Sequence, residues 1–373
     1  MRSALALSLA LTLAAVASRA HASAPDEGPL VRLGGPDATV RVEGLLQLEL
    51  VPFVGDDAFV ADGDPAEAPG FRLRRARLGL AGTAWTDTDF ELSLQATPEG
   101  LDLLDAWVGW RPLANLAAYA GARKIPFSRF ALNASSDSAL ADRPLAVRAM
   151  APFRQVGLTL EGDLVGGRLR WAAGAYNGLV RGATFHEGYG ESTALAGNRF
   201  TNLAYAARVD LAPLGATRPG LADLAHGPLR AGLGGALFYD PGKTIETLGF
   251  EVDLLLQAAG FHLAAELLMD SAEPATQPTT GATLPAALSR LAAVVELGWV
   301  ALPERLGFTV RAELLDDDTE RDNAGDALVL TGGAQLYLHG ARLKASLEFT
   351  HREELDGPSL ANDALLAQLQ LAL

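Results

Sequence analysis

From Val40 onward, apolar and polar residues alternate in segments of about ten residues, the period of a strand with two unlike faces. Val40, Val42, Leu46, Leu48 and Leu50 alternate with Arg41, Glu43, Gln47 and Glu49. Phe308, Val310, Ala312 and Leu314 alternate with Thr309, Arg311 and Glu313. Leu343, Ala345, Leu347 and Phe349 alternate with Lys344, Ser346, Glu348 and Thr350. The pattern predicts sixteen strands, near 39–51, 71–82, 89–97, 102–111, 116–124, 154–162, 167–176, 201–211, 229–239, 244–257, 260–269, 288–301, 306–315, 327–338, 340–350 and 362–373. Ala and Leu are common in several of them and favour helix, notably in 71–82 and 288–301, but the alternation and the closely spaced turns decide for strand.

The connections carry a second pattern. Odd-numbered ones are mostly long: 52–70, 125–153, 177–200, 270–287, 316–326 and 351–361. Even-numbered ones are mostly short: Pro112 to Asn115, Ala258-Ala259, Leu302 to Arg305 and the His339-Gly340 turn. The odd connections 98–101 and 240–243 break the rule, as does the long even connection 212–228, which reads either as an insertion or as a miscounted strand. Long loops on one side and short turns on the other, with an even strand count, predict an all-β fold: a 16-stranded antiparallel transmembrane β-barrel with long extracellular loops and short periplasmic turns. Lipid requires such closure, because an open sheet edge would leave backbone groups unsatisfied. The competing reading is a soluble sandwich. The outward set here is mostly Leu, Val and Ala, which suits fluid lipid better than a packed core. Trp85, Trp107, Trp110, Trp171, Tyr239 and Trp299 are candidates for aromatic girdles at the two interfaces.

The first residues point to export. Met1-Arg2 starts a short basic region, Ala4 to Ala17 is an apolar run, and Ala20-His21-Ala22 has the small-x-small cleavage pattern. Residues 1–22 therefore read as a signal peptide, 23–38 as a short N-terminal periplasmic segment, and 39–373 as an outer-membrane barrel. Among 373 residues there is no cysteine, which excludes a lipid-anchored Cys, disulfides and Cys-ligated zinc. The formal net charge of −15 argues against a nucleic-acid partner.

Against that acidic background, residues 71–170 carry thirteen basic and ten acidic side chains. Strand 71–82 reads FRLRRARLGLAG. Alternation with Ala76, Leu78 and Leu80 puts Arg75 and Arg77 on the lumen face. Arg72 and Arg74 share the lipid-face parity at the extracellular end, where they are expected to snorkel to the rim or meet lipopolysaccharide phosphates. Lumen arginines attract anions through a planar guanidinium fork. The alternative is that Arg75, Arg77 and Arg123 pair with lumen carboxylates such as Glu91 or Asp105.

With these residues in place, the sequence resembles the phosphate-selective porin O/P family. The matching pieces are RRARLGLAG at 74–82, DAWVGW at 105–110, GARKIPFS at 121–128, Asp142-Arg143, and APFRQVGLTLEG at 151–162, in the family's order and spacing. They cover roughly a quarter of the chain. The resemblance implies a trimeric 16-stranded porin passing small anions by diffusion, with the third extracellular loop folded inward to narrow the pore. That loop corresponds to 125–153 and carries Arg129, Arg143 and Arg148, with Lys124 and Arg154 at its roots. The candidate pore-lining or anion-binding residues are thus Arg75, Arg77, Arg123, Lys124, Arg129, Arg143, Arg148 and Arg154. The chain departs from the family in having 30 basic against 45 acidic residues, in the acidic stretches 52–70 and 316–322, and in ending on Leu373 rather than Phe.

Other chemistry is not indicated. The six histidines have no metal-ligand spacing, and His262 and His339 share only lumen parity. Asp316-Asp317-Asp318, Glu320 and Asp322 could hold calcium but lack the glycine and terminal glutamate of an EF-hand loop, so a solvated loop is the better reading. No phosphate-cradling glycine loop precedes a helix. The expectation is a non-enzymatic porin without cofactor or metal, for small and mainly anionic solutes; the alternative is a barrel with a plugged lumen and an enzymatic, structural or adhesive role.

Overall fold

Sixteen long strands form where the alternation places them. A computed structural model describes residues 30–31, 38–54, 69–97, 100–181, 188–190, 203–217, 220–276, 286–323, 325–356 and 359–373. The expected signal peptide lies outside these residues. The strands are β1 (Thr39–Val54), β2 (Gly70–Ala84), β3 (Thr88–Thr97), β4 (Gly100–Leu113), β5 (Leu116–Lys124), β6 (Arg154–Leu164), β7 (Leu169–Asn177) and β8 (Leu203–Leu211). They continue as β9 (Arg230–Asp240), β10 (Ile245–Ala258), β11 (Phe261–Pro274), β12 (Leu288–Leu302), β13 (Leu306–Asp316), β14 (Ala327–His339), β15 (Leu343–Glu354) and β16 (Ala364–Ala372). Each pairs antiparallel with its neighbours in sequence, and β16 pairs with β1, Leu369 opposite Leu48, so the sheet closes on itself. Leu30–Val31 adds a short pairing beside Val40 and Arg41 of β1.

The two faces differ as the period of two requires. The outer face carries exposed Leu80, Leu158, Val209, Val252, Leu297, Val310 and Leu347 all around the cylinder. The inner face carries buried Glu251, Asp253, Glu266, Asp270, Arg290, Glu296, Arg311, Glu313 and Glu348. An oily exterior around a charged interior inverts the arrangement of a water-soluble protein and matches a barrel bathed in lipid. Phe261 stacks on Trp299 at 5.7 Å on the outer wall near the short turns, an aromatic pair suited to the interface. Trp107 differs from the expected girdle: it shares the inward parity of Asp105 and meets Tyr119 edge-on at 5.2 Å. His339 also departs from its expected lumen position. A register irregularity between Tyr337 and His339 leaves it exposed beside the turn.

A second irregularity corrects the rim assignment of Arg72 and Arg74. In the β1–β2 pair, Gln47 faces Arg75 but Leu48 faces Leu73, so Arg74 is an extra residue. Such a bulge reverses the parity of everything beyond it. Arg72 therefore reaches inward to Glu49 at 2.5 Å, and Arg74 joins Arg75 on Asp142.

Gly121 on β5 has φ +128°, and a Cβ there would stand 2.1 Å from the Ala106 carbonyl oxygen and 2.7 Å from Trp107 Cα. Gly121→Ala combines that overlap with a backbone conformation costly to any L side chain, together worth more than about 2 kcal/mol. The variant is expected to refold in detergent in lower yield and to lose its heat-modifiable gel mobility at a lower temperature than the parent.

Candidate functional site

Among the described residues, the interior is built mainly from one inward segment and the strand walls around it, with Tyr189 of the β7–β8 connection packed beside them on Phe238 at 5.4 Å. Between β5 and β6, Arg129–Leu132 forms helix α1, Ser135–Asp137 a single 3-10 turn, and Leu145–Met150 helix α2. Ser128 caps α1 by accepting from Ala131 N at 3.0 Å. Three carboxylates on distant strands hold the segment by its backbone. Glu266 of β11 accepts from Phe130 N at 3.1 Å, Glu348 of β15 from Ala141 N at 2.7 Å, and Glu313 of β13 from Ala146 N at 2.9 Å. The first and third sit at the amino ends of α1 and α2, where exposed N–H groups favour a negative partner. Phe127, Phe130, Val147 and Met150 pack against inward Leu255, Leu268, Val294 and Leu315. Along β9–β14 the space behind the segment is thereby closed, by apolar side chains interleaved with the buried carboxylates and arginines of the same strands.

The other half stays open. A cavity of about 1090 Å³ runs along β1–β8, bounded on the inside by residues of 126–143. Nine basic and six acidic side chains line it. The acidic Glu43, Glu91, Glu161 and Asp163 stand toward the short-turn end of their strands. Arg77, Lys124, Arg129 and Arg143 stand deeper, against the inward segment.

Six of the eight sequence-predicted residues meet in this cavity: Arg77, Arg123, Lys124, Arg129, Arg143 and Arg154. Their charges are not equally available. Arg154 is matched by Asp105 through two contacts of 3.0 Å. Arg123 pairs with Glu161 at 2.7 Å and lies 3.9 Å over the Tyr119 ring. Arg129 is held between Asp210 and Asp253. Lys124 instead donates to neutral oxygens, the Leu132 carbonyl at 2.9 Å and the Asn133 carbonyl at 3.0 Å. Arg143 donates to the Phe130 and Asn133 carbonyls, and Arg77 to Gln95 and Ser135. Several positive side chains thus converge on the carboxyl end of α1, whose exposed carbonyls favour them.

Arg75 and Arg148 lie outside the cavity. Arg75 is buried on Gln47 and Asp142, each at 2.7 Å, and serves to tie the inward segment to β2. Arg148 is on α2, half-buried. Arg208, Arg170 and Arg111 line the cavity as well. Arg208 alternates with Val209 and was visible by parity alone. Its neighbours Asp210, Glu251 and Asp253 absorb its charge.

No group of three or more His, Asp or Glu among the described residues is arranged to hold a metal ion. The acidic stretch after β13 instead bonds within itself, as Asn323 to Asp317 at 2.6 Å and Asp318 N to Asp316 at 3.2 Å. Among the described residues His262 hydrogen-bonds Glu296, at 3.2 Å.

Comparison with known proteins agrees with this architecture. The outer membrane channel DcaP of Acinetobacter baumannii superimposes with a TM-score of 0.59 at 12% identity, covering 91% of this chain and 99% of that one. OmpT of Vibrio cholerae gives 0.57 at 10% identity, with coverages of 91% and 99%. OmpF of Salmonella typhi, solved with daunomycin, gives 0.57 at 12% identity, with 90% and 98%. At such identities the likeness establishes the fold. No curated protein matches the chain. The closed sheet of sixteen strands and its apolar belt are those of a bacterial outer-membrane barrel. Residues 54–219, which hold β2 to β8 and with them most of the cavity wall and the inward segment, match the model of the family described as phosphate-selective porin O and P, and it is this family that the chain resembles.

Proposed function

We propose that the protein is an outer-membrane porin that lets small solutes diffuse through a water-filled pore, with a preference for small anions such as phosphate. The observation that carries the reading is the polar cavity along β1–β8, narrowed by 126–143 and lined by nine basic and six acidic side chains in a chain whose overall charge is −15. Positive charge concentrated at a constriction raises the local concentration of anions and lowers that of cations. The acidic residues nearer the mouth moderate that preference, so selectivity for anions over cations is modest and phosphate is not held tightly. The inward segment acts as the constriction. A trimer follows from the family resemblance, and a ladder of cross-linked species ending at three tests it. The lipopolysaccharide contact envisaged at Arg72 and Arg74 is not retained, since both side chains turn inward.

Planar-bilayer recording of the refolded barrel tests the reading. Discrete conductance steps are expected, with a reversal potential in a potassium chloride gradient that favours chloride. Correctly folded protein that never conducts would instead support the plugged barrel, for which the close packing of the inward segment against β9–β14 is the motivating feature. A reversal potential of the opposite sign refutes the anion preference alone.

A further inference from the structure

The long connection 212–229 stands on the side where every other connection is a short turn. Its described residues fold back over the mouth of the barrel. The Gly220 and Leu221 carbonyls accept from Gln257 Nε2 at 3.1 and 3.0 Å. Asp223, fully buried, accepts from Gly227 N at 3.2 Å and from Gly260 N in the β10–β11 turn at 3.0 Å. Leu224 O accepts from Glu304 N in the β12–β13 turn, and His226 Nε2 stands 2.6 Å from the Val300 carbonyl. Ala222 and Leu224 share a cleft with Tyr337 of β14. At Gly220 the segment touches the inward segment coming from the opposite end, where a Cβ would lie 3.2 Å from Asp137 Cβ.

The consequence is an asymmetric mouth. Lumen-facing residues at the short-turn ends of β10–β14 should be among the wettest in the barrel, yet Gln257 is 0%, His262 3% and Val300 2% exposed. On the opposite wall, Arg111, Asp163 and Arg170 occupy equivalent heights and remain exposed. A buried Asp223 with two backbone donors is a fixed anchor rather than a hinge.

We infer that residues 220–229 form a fixed plug over the β10–β14 half of the periplasmic mouth, so that solute enters and leaves only along the β1–β8 wall. The inference deepens the porin reading and rests on it for the statement about solute, while the plug itself can be read without any current. The segment, with 126–143, sets the pore's cross-section from the periplasmic side.

Because the chain has no cysteine, single cysteines report access cleanly. Val300→Cys, under the segment, and Ala172→Cys, on the open wall, are labelled with a water-soluble maleimide in the folded full-length barrel. Val300→Cys is expected to react about tenfold more slowly or less, and Ala172→Cys freely, since a covered thiol reacts only through local opening. Replacing 213–228 by a four-residue Gly/Asn turn should equalise the two rates and raise single-channel conductance. The chloride preference should persist, because the nine basic side chains that line the cavity all lie outside the replaced span. Should the shortened chain fail to fold, Asp223→Ala with Gln257→Ala keeps the length and releases the latches, and the same acceleration at Val300→Cys is expected. Equal labelling of the two thiols in the otherwise unaltered barrel overturns the plug. Slow labelling without any current sinks the porin reading and leaves the plug standing.

Discussion

Asp142→Ala is expected to raise open-channel current noise and mean conductance and to lower the temperature at which the barrel unfolds. Asp142 receives Arg75 at 2.7 Å and Arg74 at 2.9 Å, and Arg75 is nearly buried. Removing the carboxylate leaves two guanidinium groups without their counter-charge, a loss of about 3 kcal/mol for a pair this dry. Those groups can rehydrate only if the chain around 138–143 withdraws from β2, which loosens one end of the inward segment. The other ties, to Glu266, Glu313 and Glu348, stay in place, so the segment fluctuates rather than swings out. Arg74→Ala is the milder control, because Arg75 keeps its partner. Unchanged noise, conductance and unfolding temperature in Asp142→Ala would show that the tie contributes nothing.

The same contact sets a pH dependence. Burial pushes the Asp142 carboxyl up, but Arg75 and Arg74 outweigh it and hold it well below its ordinary 3.8. A carboxylate depressed in the folded state stabilises at all pH above its unfolded value and loses that contribution only as pH falls through the folded one. The noise expected of Asp142→Ala should therefore appear in the parent only well below pH 3.8, and not between neutrality and pH 5. An onset in that milder range contradicts the pairing.

The second large effect is on selectivity. Lys124→Gln is expected to shift the reversal potential toward potassium, whereas Arg154→Gln combined with Asp105→Asn is expected to leave it in place. Lys124 brings its charge to the carbonyls of Leu132 and Asn133, so glutamine removes charge from the constriction while retaining a donor. A unit charge about 8 Å from a passing ion in wet surroundings acts on it by roughly 0.6 kcal/mol, or about a threefold change in permeability ratio. Arg154 and Asp105 face each other at 3.0 Å and cancel beyond a few ångströms, so their joint removal changes shape more than field. The reverse outcome, with the pair dominant and Lys124 silent, contradicts this division of the basic cluster.

The strands were legible because lipid outside and water inside impose one rule on every residue of the wall. All sixteen lie within a few residues of the alternating segments. Parity failed where the backbone breaks step. At the bulge beside Gln47, one extra residue carried Arg72 and Arg74 inward, and no residue in FRLRRARLGLAG signals it. Residue type alone makes Trp107 interfacial, although its spacing from Asp105 places it inside. Six of the eight expected residues line the cavity because the family-like pieces and strand parity point to the same wall. Which arginines face the cavity was not legible: Arg75 and Arg77 look alike in sequence, yet Asp142, far along the chain, draws Arg75 out of the cavity while Arg77 lines it. The connection 212–229 left no pattern to read because its contacts are backbone carbonyls and single side chains on four different hairpins.

The pairing of β16 with β1 also governs how the molecule can come into being. Gln47 bonds Gln370 at 2.7 Å and Glu49 bonds Gln368 at 2.8 Å across 323 and 319 residues, and Leu373 N reaches Gly44 O at 2.9 Å. Until those contacts form, two raw sheet edges stay open to strands of other chains. Contacts between positions so distant along the polypeptide form slowly, since loop-closure entropy is lost before they reward it. The strand made first must therefore wait, shielded, for the one made last, and the interval between export and closure is when this chain most needs a holding partner.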